Sequence, residues 1–500
     1  MKVSLSFLLT ILIVIITIKV NLSQEIKISP FFANNLKFEP IPDYIEYDSD
    51  SDAGEALFLS NYLDDHKTAK QKSCVDIGAP FQSCDKLLEI DSNLRDTEDF
   101  FTFTGFITVN ETYNSNTFFW FLESQNGDKN SPLVIFLQGG PGGASTFSLF
   151  VETGPYELLD NFTLVQREIT WNSEFAMLYI DNPVGTGFSF TDSQEGYSNN
   201  EDEIATNLYT FLQQFYKLYP EYYTNELYIT GESYAGKYIP AFSYHIIQQN
   251  QNSNNPNINL KGIAIGDGLC DPITQVTQYA NLAFYTGLAD LQQQEVMFEY
   301  QDKIVEAINQ EQWSVANDLF TDLINGPPDY FQNITGESDY YDIRKTVEPT
   351  YGGDFTAFLN QSSIRAMIHV GNNYFQNNND VYIHLEQDIP KSVKQLFPTI
   401  LDNIKVILYN GQFDFIVGPS LTETMIRTIE WEGIQPFLES PKIIWKIPSD
   451  NVDVAGFVRQ WNSFTQVVVR QAGHMVPLDQ PARAFDMIDR FINNEPFPSG

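Results

Sequence analysis

Gly231-Glu232-Ser233-Tyr234-Ala235-Gly236 sets a serine inside a Gly-x-Ser-x-Gly pattern, directly behind the strand-like run Leu227–Thr230. A sharp strand-to-helix turn at such a place lifts the serine hydroxyl above a sheet edge, where it can act as a nucleophile. Small residues at 231, 235 and 236 let strand and helix approach closely. Such a serine needs a base, and the base needs an orienting carboxylate. Of the five histidines, His66 and His245 sit unsuitably around the turn, and His369 and His384 fall in a stretch without strand–helix rhythm. His474, in Gly473-His474-Met475-Val476-Pro477 just after the last strand-like run, can reach over the sheet edge. The acid should follow the preceding core strand. Val406–Tyr409 leads into Asn410-Gly411-Gln412-Phe413-Asp414, which makes Asp414 the expected partner. Asp402 lies before that strand, at the wrong edge, and Asp479 is too near His474 along the chain.

Negative charge developing on an attacked carbonyl calls for backbone N–H donors. One should come from Tyr234, the residue after the nucleophile. Another should come from the loop Gln138-Gly139-Gly140-Pro141-Gly142-Gly143, which follows the strand-like run Leu133–Leu137. That loop lacks the Lys-Ser/Thr ending of a phosphate loop, and no Cys-x-x-Cys or His-Glu-x-x-His pattern occurs, so neither a cofactor nor a metal is expected. Three cysteines are present: Cys74 and Cys84 are close enough to bridge in an oxidising lumen, leaving Cys270 over.

The elements that must carry these residues alternate. Phe103–Val109 and Phe118–Glu123 read as an antiparallel pair. Short buried strands follow at Leu133–Leu137, Met177–Ile180, Leu227–Thr230, Ile263–Ile265, Val406–Tyr409 and Gln466–Val469. Helical stretches such as Glu203–Tyr216 and Ala484–Ile492 intervene, so the pattern predicts an α/β fold: a mostly parallel twisted sheet with helices on both faces. The core divides into residues 100–273 and 391–500. Residues 274–390, helix-prone at Leu291–Ile308 and Glu311–Ile324, break the rhythm and read as an insertion covering the ligand edge like a lid.

A net charge of −37 in 500 residues repels phosphate backbones and disfavours nucleic-acid binding. Residues 1–23 read as a signal peptide, with Lys2 followed by an apolar run to Ile18, and no other stretch is long and apolar enough to span a bilayer. Residues 24–99 form an acidic arm. It is expected to be irregular and solvated over 25–73, with six acids and no base from Asp43 to Glu55. Sequons at Asn110, Asn161, Asn333 and Asn360 would meet glycosylation machinery in the secretory pathway, and a secreted or lysosomal destination follows. Oligomeric state is left open.

With these pieces in order, the chain resembles the serine carboxypeptidases of the α/β-hydrolase class, and among them the vitellogenic carboxypeptidase-like branch. The resemblance rests on Phe136–Ser145, Leu149–Tyr156, Asp181–Ser189, the serine turn, Gly262–Gly268, Tyr409–Asp414 and Gly473–Pro477. It implies release of C-terminal residues from peptides and proteins through an acyl-enzyme on Ser233. It further implies that Glu232, Gln138 and the Gly139 backbone bind the substrate's terminal carboxylate, with Glu152 bonded to Glu232, and that the N–H groups of Gly140 and Tyr234 form the oxyanion hole. Gln138 and Gly143 stand where many members carry asparagine and cysteine, and Val417 where some carry cysteine. A carboxyl held beside a substrate carboxylate must be protonated, so peptide hydrolysis should favour acidic pH. Two alternatives share the fold: an acyltransferase or esterase using the same triad, and a non-catalytic glycoprotein.

Overall fold

The computed structural model describes residues 51–89, 100–159, 161–252, 257–326, 329–347, 355–376, 379–447 and 453–498. The expected signal peptide and residues 24–50 and 90–99 of the acidic arm lie outside these residues.

Among the described residues twelve strands form two sheets: β1 (Thr102–Asn110), β2 (Ser115–Leu122), β3 (Leu133–Leu137), β4 (Tyr156–Leu158), β5 (Leu164–Gln166), β6 (Ala176–Ile180), β7 (Leu227–Glu232), β8 (Leu260–Gly266), β9 (Lys405–Gly411), β10 (Ile443–Trp445), β11 (Gly456–Trp461) and β12 (Phe464–Val469). Strands β4 and β5 make a small ribbon. The other ten lie in the order β1-β2-β6-β3-β7-β8-β9-β12-β11-β10. From β6 through β12 every neighbouring pair is parallel, and antiparallel hairpins close both edges. This is the α/β-hydrolase arrangement expected from the strand–helix alternation.

The period of two along each strand divides the core into two faces. On β3, Leu133, Ile135 and Leu137 join the layer beneath the helices Glu201–Leu218 and Ala235–Asn250, while Val134 and Phe136 join the opposite layer with the helix Pro481–Asn493. The helix Glu201–Leu218 illustrates why these segments coil. Ile204, Ala205, Leu208, Phe211, Leu212 and Phe215 recur at helical spacing, Asn200 caps the first turn by accepting from Glu203 N, and acids fill that turn.

Two expectations need correction. Strands β4, β5, β10 and β11 do not figure among the predicted strands: β4, β5 and β10 have three residues each, and the polar Arg459 and Gln460 interrupt the apolar run of β11. Within residues 51–73 the arm is irregular and largely exposed only over 51–55, and beyond them it orders against the core. It forms the turn Leu59–Tyr62 and the helix His66–Ser73, and Leu59 is fully buried. Leu57 O accepts from Phe106 N, and Leu57 N donates to His369 O, so the arm lies between β1 and the insertion. The apolar Leu57-Phe58-Leu59 behind the acidic run anchors it. Cys74 and Cys84 are bonded to each other, and Cys270 is buried and free.

Between β8 and β9 the chain forms mainly helices, with a core of its own that includes Tyr279, Met297, Ile304 and Phe331. Phe415, Ile416 and Val417, which follow Asp414, pack into that same core.

Candidate active site

Ser233 sits at the turn from β7 into the helix Ala235–Asn250 with φ +62°, a left-handed conformation that costs a non-glycine residue energy. The surrounding bonds hold it there: Ser233 N donates to Gly266 O on β8, and Ser233 O accepts from Gly236 N and Leu269 N. A Cβ on Gly231 would lie 2.0 Å from Leu137 O, so only glycine lets β7 reach the turn beside β3.

His474 and Asp414 arrive from the ends of β12 and β9, as the chain order predicts. His474 Nδ1 lies 2.9 Å from Asp414 Oδ2, and both residues are buried. Asp414 also accepts Ile416 N on Oδ1 and Val417 N on Oδ2, which fixes its carboxylate plane. His474 Nε2 is buried and makes no hydrogen bond among the described residues, not even to Ser233. Its lone pair is therefore uncommitted.

The insertion stitches these two loops together, a role that sequence patterning does not reveal. Tyr341 O accepts from His474 N, and Tyr340 O accepts from Phe415 N and Ile416 N. The Tyr341 ring packs 5.0 Å from the imidazole. Asp479, set aside above as a partner for the imidazole, instead accepts Gly473 N and pairs with Arg344 and Lys345. Asp402 accepts the Trp431 indole N–H at the far end of β9.

The glycine loop after β3 passes directly over the serine turn. A Cβ on Gly139 would lie 2.5 Å from Ser233 Cβ and 2.6 Å from Tyr234 N. Neither Gly140 N–H nor Tyr234 N–H makes a hydrogen bond among the described residues. Gln138 anchors the loop below. Its Nε2 donates to Ser148 Oγ, Glu152 Oε1 and Glu232 Oε1 at 3.0, 3.0 and 3.1 Å, and its Oε1 accepts Gly139 N. The helix Ser145–Val151 delivers Glu152 to this point. The Glu152 and Glu232 carboxyls thus meet at Gln138, and Oε2 of each is buried with no hydrogen bond among the described residues. Burial, opposed by hydrogen bonds from Glu232 and Ser148, pushes Glu152 up to about 7. Burial first, and the Glu152 charge second, raise Glu232 well above the ordinary range. Buried carboxyls this close cannot both be ionised cheaply, so the pair holds a proton at neutral pH.

Comparison with known proteins decides the family. Residues 93–494 match the serine carboxypeptidase family. The chain belongs to that family. It is 43% identical over 445 residues to the human protein named probable serine carboxypeptidase CPVL, covering 88% of this chain and 90% of the relative. It is 37% identical to the venom serine carboxypeptidase of Apis mellifera, with 92% and 95% covered. With the vitellogenic carboxypeptidase of Aedes aegypti it shares 36% identity, with 88% and 91% covered. A solved structure of Kex1ΔP, a prohormone-processing carboxypeptidase from Saccharomyces cerevisiae, superposes with a TM-score of 0.70 at 24% identity, over 81% of this chain and 93% of that one, and so shares the fold. The protein is a serine-type carboxypeptidase, a hydrolase acting on peptides.

Seen as a carboxypeptidase, the site holds one residue that sequence reasoning missed. Asp267, at the end of β8 with φ +44°, is fully buried next to Asp414. Its signal was present: Gly266-Asp267-Gly268 ends a core strand at the same sheet edge as Ser233. Among the described residues, Asp267, Asp414 and His474 bring ligand-type atoms within 4.8 Å of one another, a cluster that includes the Asp414–His474 hydrogen bond. No helix among the described residues is long and apolar enough to cross a membrane.

Proposed function

We propose that Ser233 Oγ attacks the last peptide carbonyl of a substrate while His474 Nε2 takes its proton, with Asp414 holding the imidazole through Nδ1. The tetrahedral oxyanion is received by Gly140 N–H and Tyr234 N–H. His474 returns the proton to the departing amino acid, and water then releases the acyl group from Ser233 by the same steps in reverse. The substrate's terminal carboxylate is read by Glu232, and by Gln138 Nε2 and Gly139 N–H as they exchange their bonds to Glu232 and Gln138 Oε1 for the substrate.

The observation that carries this reading is the buried Glu152–Glu232 pair, one residue from the nucleophile and tied to the oxyanion loop through Gln138. An ionised glutamate there would repel a carboxylate, whereas a protonated one donates to it. With both protons in place, Glu152 O–H donates to Glu232 and Glu232 O–H remains for the substrate. Once Glu152 ionises, it draws the remaining proton to itself. Peptide hydrolysis therefore belongs to acidic pH, consistent with a secreted or lysosomal destination. The honey-bee relative is named a venom enzyme.

A mixed peptide library followed by mass spectrometry tests the reading. Stepwise shortening from C-termini, abolished by Ser233→Ala, is expected; cleavage inside chains would refute it. Acyl transfer to a small-molecule hydroxyl without release of amino acids would point to the acyltransferase alternative.

A further inference from the structure

Asp267 takes no part in the steps above, yet it faces the acid–base pair from the end of β8. Its carboxyl accepts Gly411 N and the Asn410 amide, and both donors approach Oδ1 most closely, at 2.9 and 3.3 Å. Gly411 N lies farther from Oδ2, at 3.2 Å. Asn410 is itself held by Val417 O and Thr422 Oγ1, so this bracket is rigid. Asp414 is the neighbouring carboxyl: an oxygen of each lies within 4.8 Å of the other. The other titratable groups facing Asp267 are Glu232 at the end of β7, Tyr409 on β9 and His474 after β12. No lysine or arginine among the described residues pairs with it.

Two buried carboxyls this close cannot both be ionised cheaply. Asp414 has three partners suited to an anion: Ile416 N, Val417 N and the imidazole N–H. Asp267 has the weaker set and an oxygen with a single long contact.

We propose that Asp267 is a positioning residue: its Oδ2 carries a proton and donates it to Asp414, aiming the Asp414 charge at His474 Nδ1. The proposal rests on the reading of Ser233, His474 and Asp414 as the reacting set. Burial, and then the Asp414 charge, raise the Asp267 carboxyl well above its ordinary range, which agrees with a proton held there across neutral pH. Ionisation of Asp267 replaces the donor with a repelling charge and costs the imidazole its orientation, which sets an upper pH limit on reaction.

The test is the rate at which an uncharged fluorophosphonate labels Ser233 between about pH 5 and pH 10, together with kcat and KM on a C-terminally amidated peptide. Neither probe presents a carboxylate, so Glu232 does not confuse the result. Asp267→Leu is expected to slow labelling and kcat roughly 10- to 100-fold at every pH, with KM unchanged, the loss of one charge-assisted hydrogen bond. Asp267→Asn keeps an N–H donor and an oxygen for Gly411 and Asn410. It should stay within roughly threefold of the parent near pH 6 and lose the parent's alkaline decline. A profile for Asp267→Asn that superposes on the parent through alkaline pH would overturn the proposal. So would a folded Asp267→Leu variant labelled at the parent's rate. If Asp267→Leu fails the circular-dichroism check for folding, the asparagine profile decides alone. A parent that reacts no faster than Ser233→Ala would overturn the serine reading, and this proposal with it.

Discussion

Replacing both carboxyls, Glu152→Gln with Glu232→Gln, should remove the acid dependence of peptide hydrolysis while leaving the serine chemistry intact. Each glutamine keeps an oxygen for Gln138 Nε2 and adds an N–H that pH does not titrate. In the parent, the donor to the substrate carboxylate exists only while both acids hold protons, and Glu152 is pushed up to about 7. Above that value the competent population falls about tenfold per pH unit. The ratio of kcat/KM for a peptide to kcat/KM for its C-terminal amide should thus drop about tenfold between pH 5 and pH 8, chiefly through KM. In the double variant the ratio should be flat, and at pH 5 within roughly tenfold of the parent, because an amide N–H still donates to the carboxylate. The amide substrate reports any damage to Ser233, His474 or Asp414 in the same experiment. Parallel slopes in parent and variant would refute the reasoning, because the acid dependence would then arise elsewhere.

Asp414→Asn should lower kcat by roughly 10³- to 10⁴-fold, on ester and peptide alike, through loss of the imidazole's orientation. Breaking the Cys74–Cys84 bond with Cys84→Ser should destabilise the chain by about 2–3 kcal/mol, the closure entropy of a short loop, read as a fall in Tm. Asp181, Glu152 and Glu201 are raised by burial to about 6, 7 and 8. Because these folded-state values exceed the unfolded ones, their contribution is complete below about pH 4 and lost as pH rises through 6 to 8. Tm should therefore be higher near pH 5 than near pH 8, and the reverse ordering would remove this account. Glycopeptide mass spectrometry should find glycans on the exposed Asn161 and Asn333 and none on Asn360, whose Nδ2 donates to Phe375 O and whose Oδ1 accepts Phe375 N.

The parts of the site legible in the sequence are those whose chemistry forces a local pattern. A serine at positive φ needs small neighbours, which leaves Gly231, Ala235 and Gly236 as a signature. A histidine that must clear the sheet edge leaves Gly473 beside it, and buried strands leave short apolar runs, which is why eight strands are readable while the polar β11 and the three-residue β4, β5 and β10 are not. What escapes is long-range. Tyr340 and Tyr341 bind the Asp414 and His474 loops through main-chain carbonyls, which any residue type could supply, so no pattern marks them. The arm's Leu57-Phe58-Leu59 is too short to outweigh the acids before it, and only its docking on β1 explains its order. Asp267 escapes for another reason. An aspartate between glycines reads as a turn residue until the fold sets Asp414 against it. The same logic applies twice at this sheet edge. Glu232 with Glu152, and Asp267 with Asp414, are each an acid raised first by burial and then by a second acid brought in by a distant element, a helix end for Glu152 and a strand end for Asp414. The first pair would tune what the enzyme binds, and the second would tune how it reacts. Measured separately, with a carboxylate-bearing substrate and with a neutral label, their pH dependences should come apart.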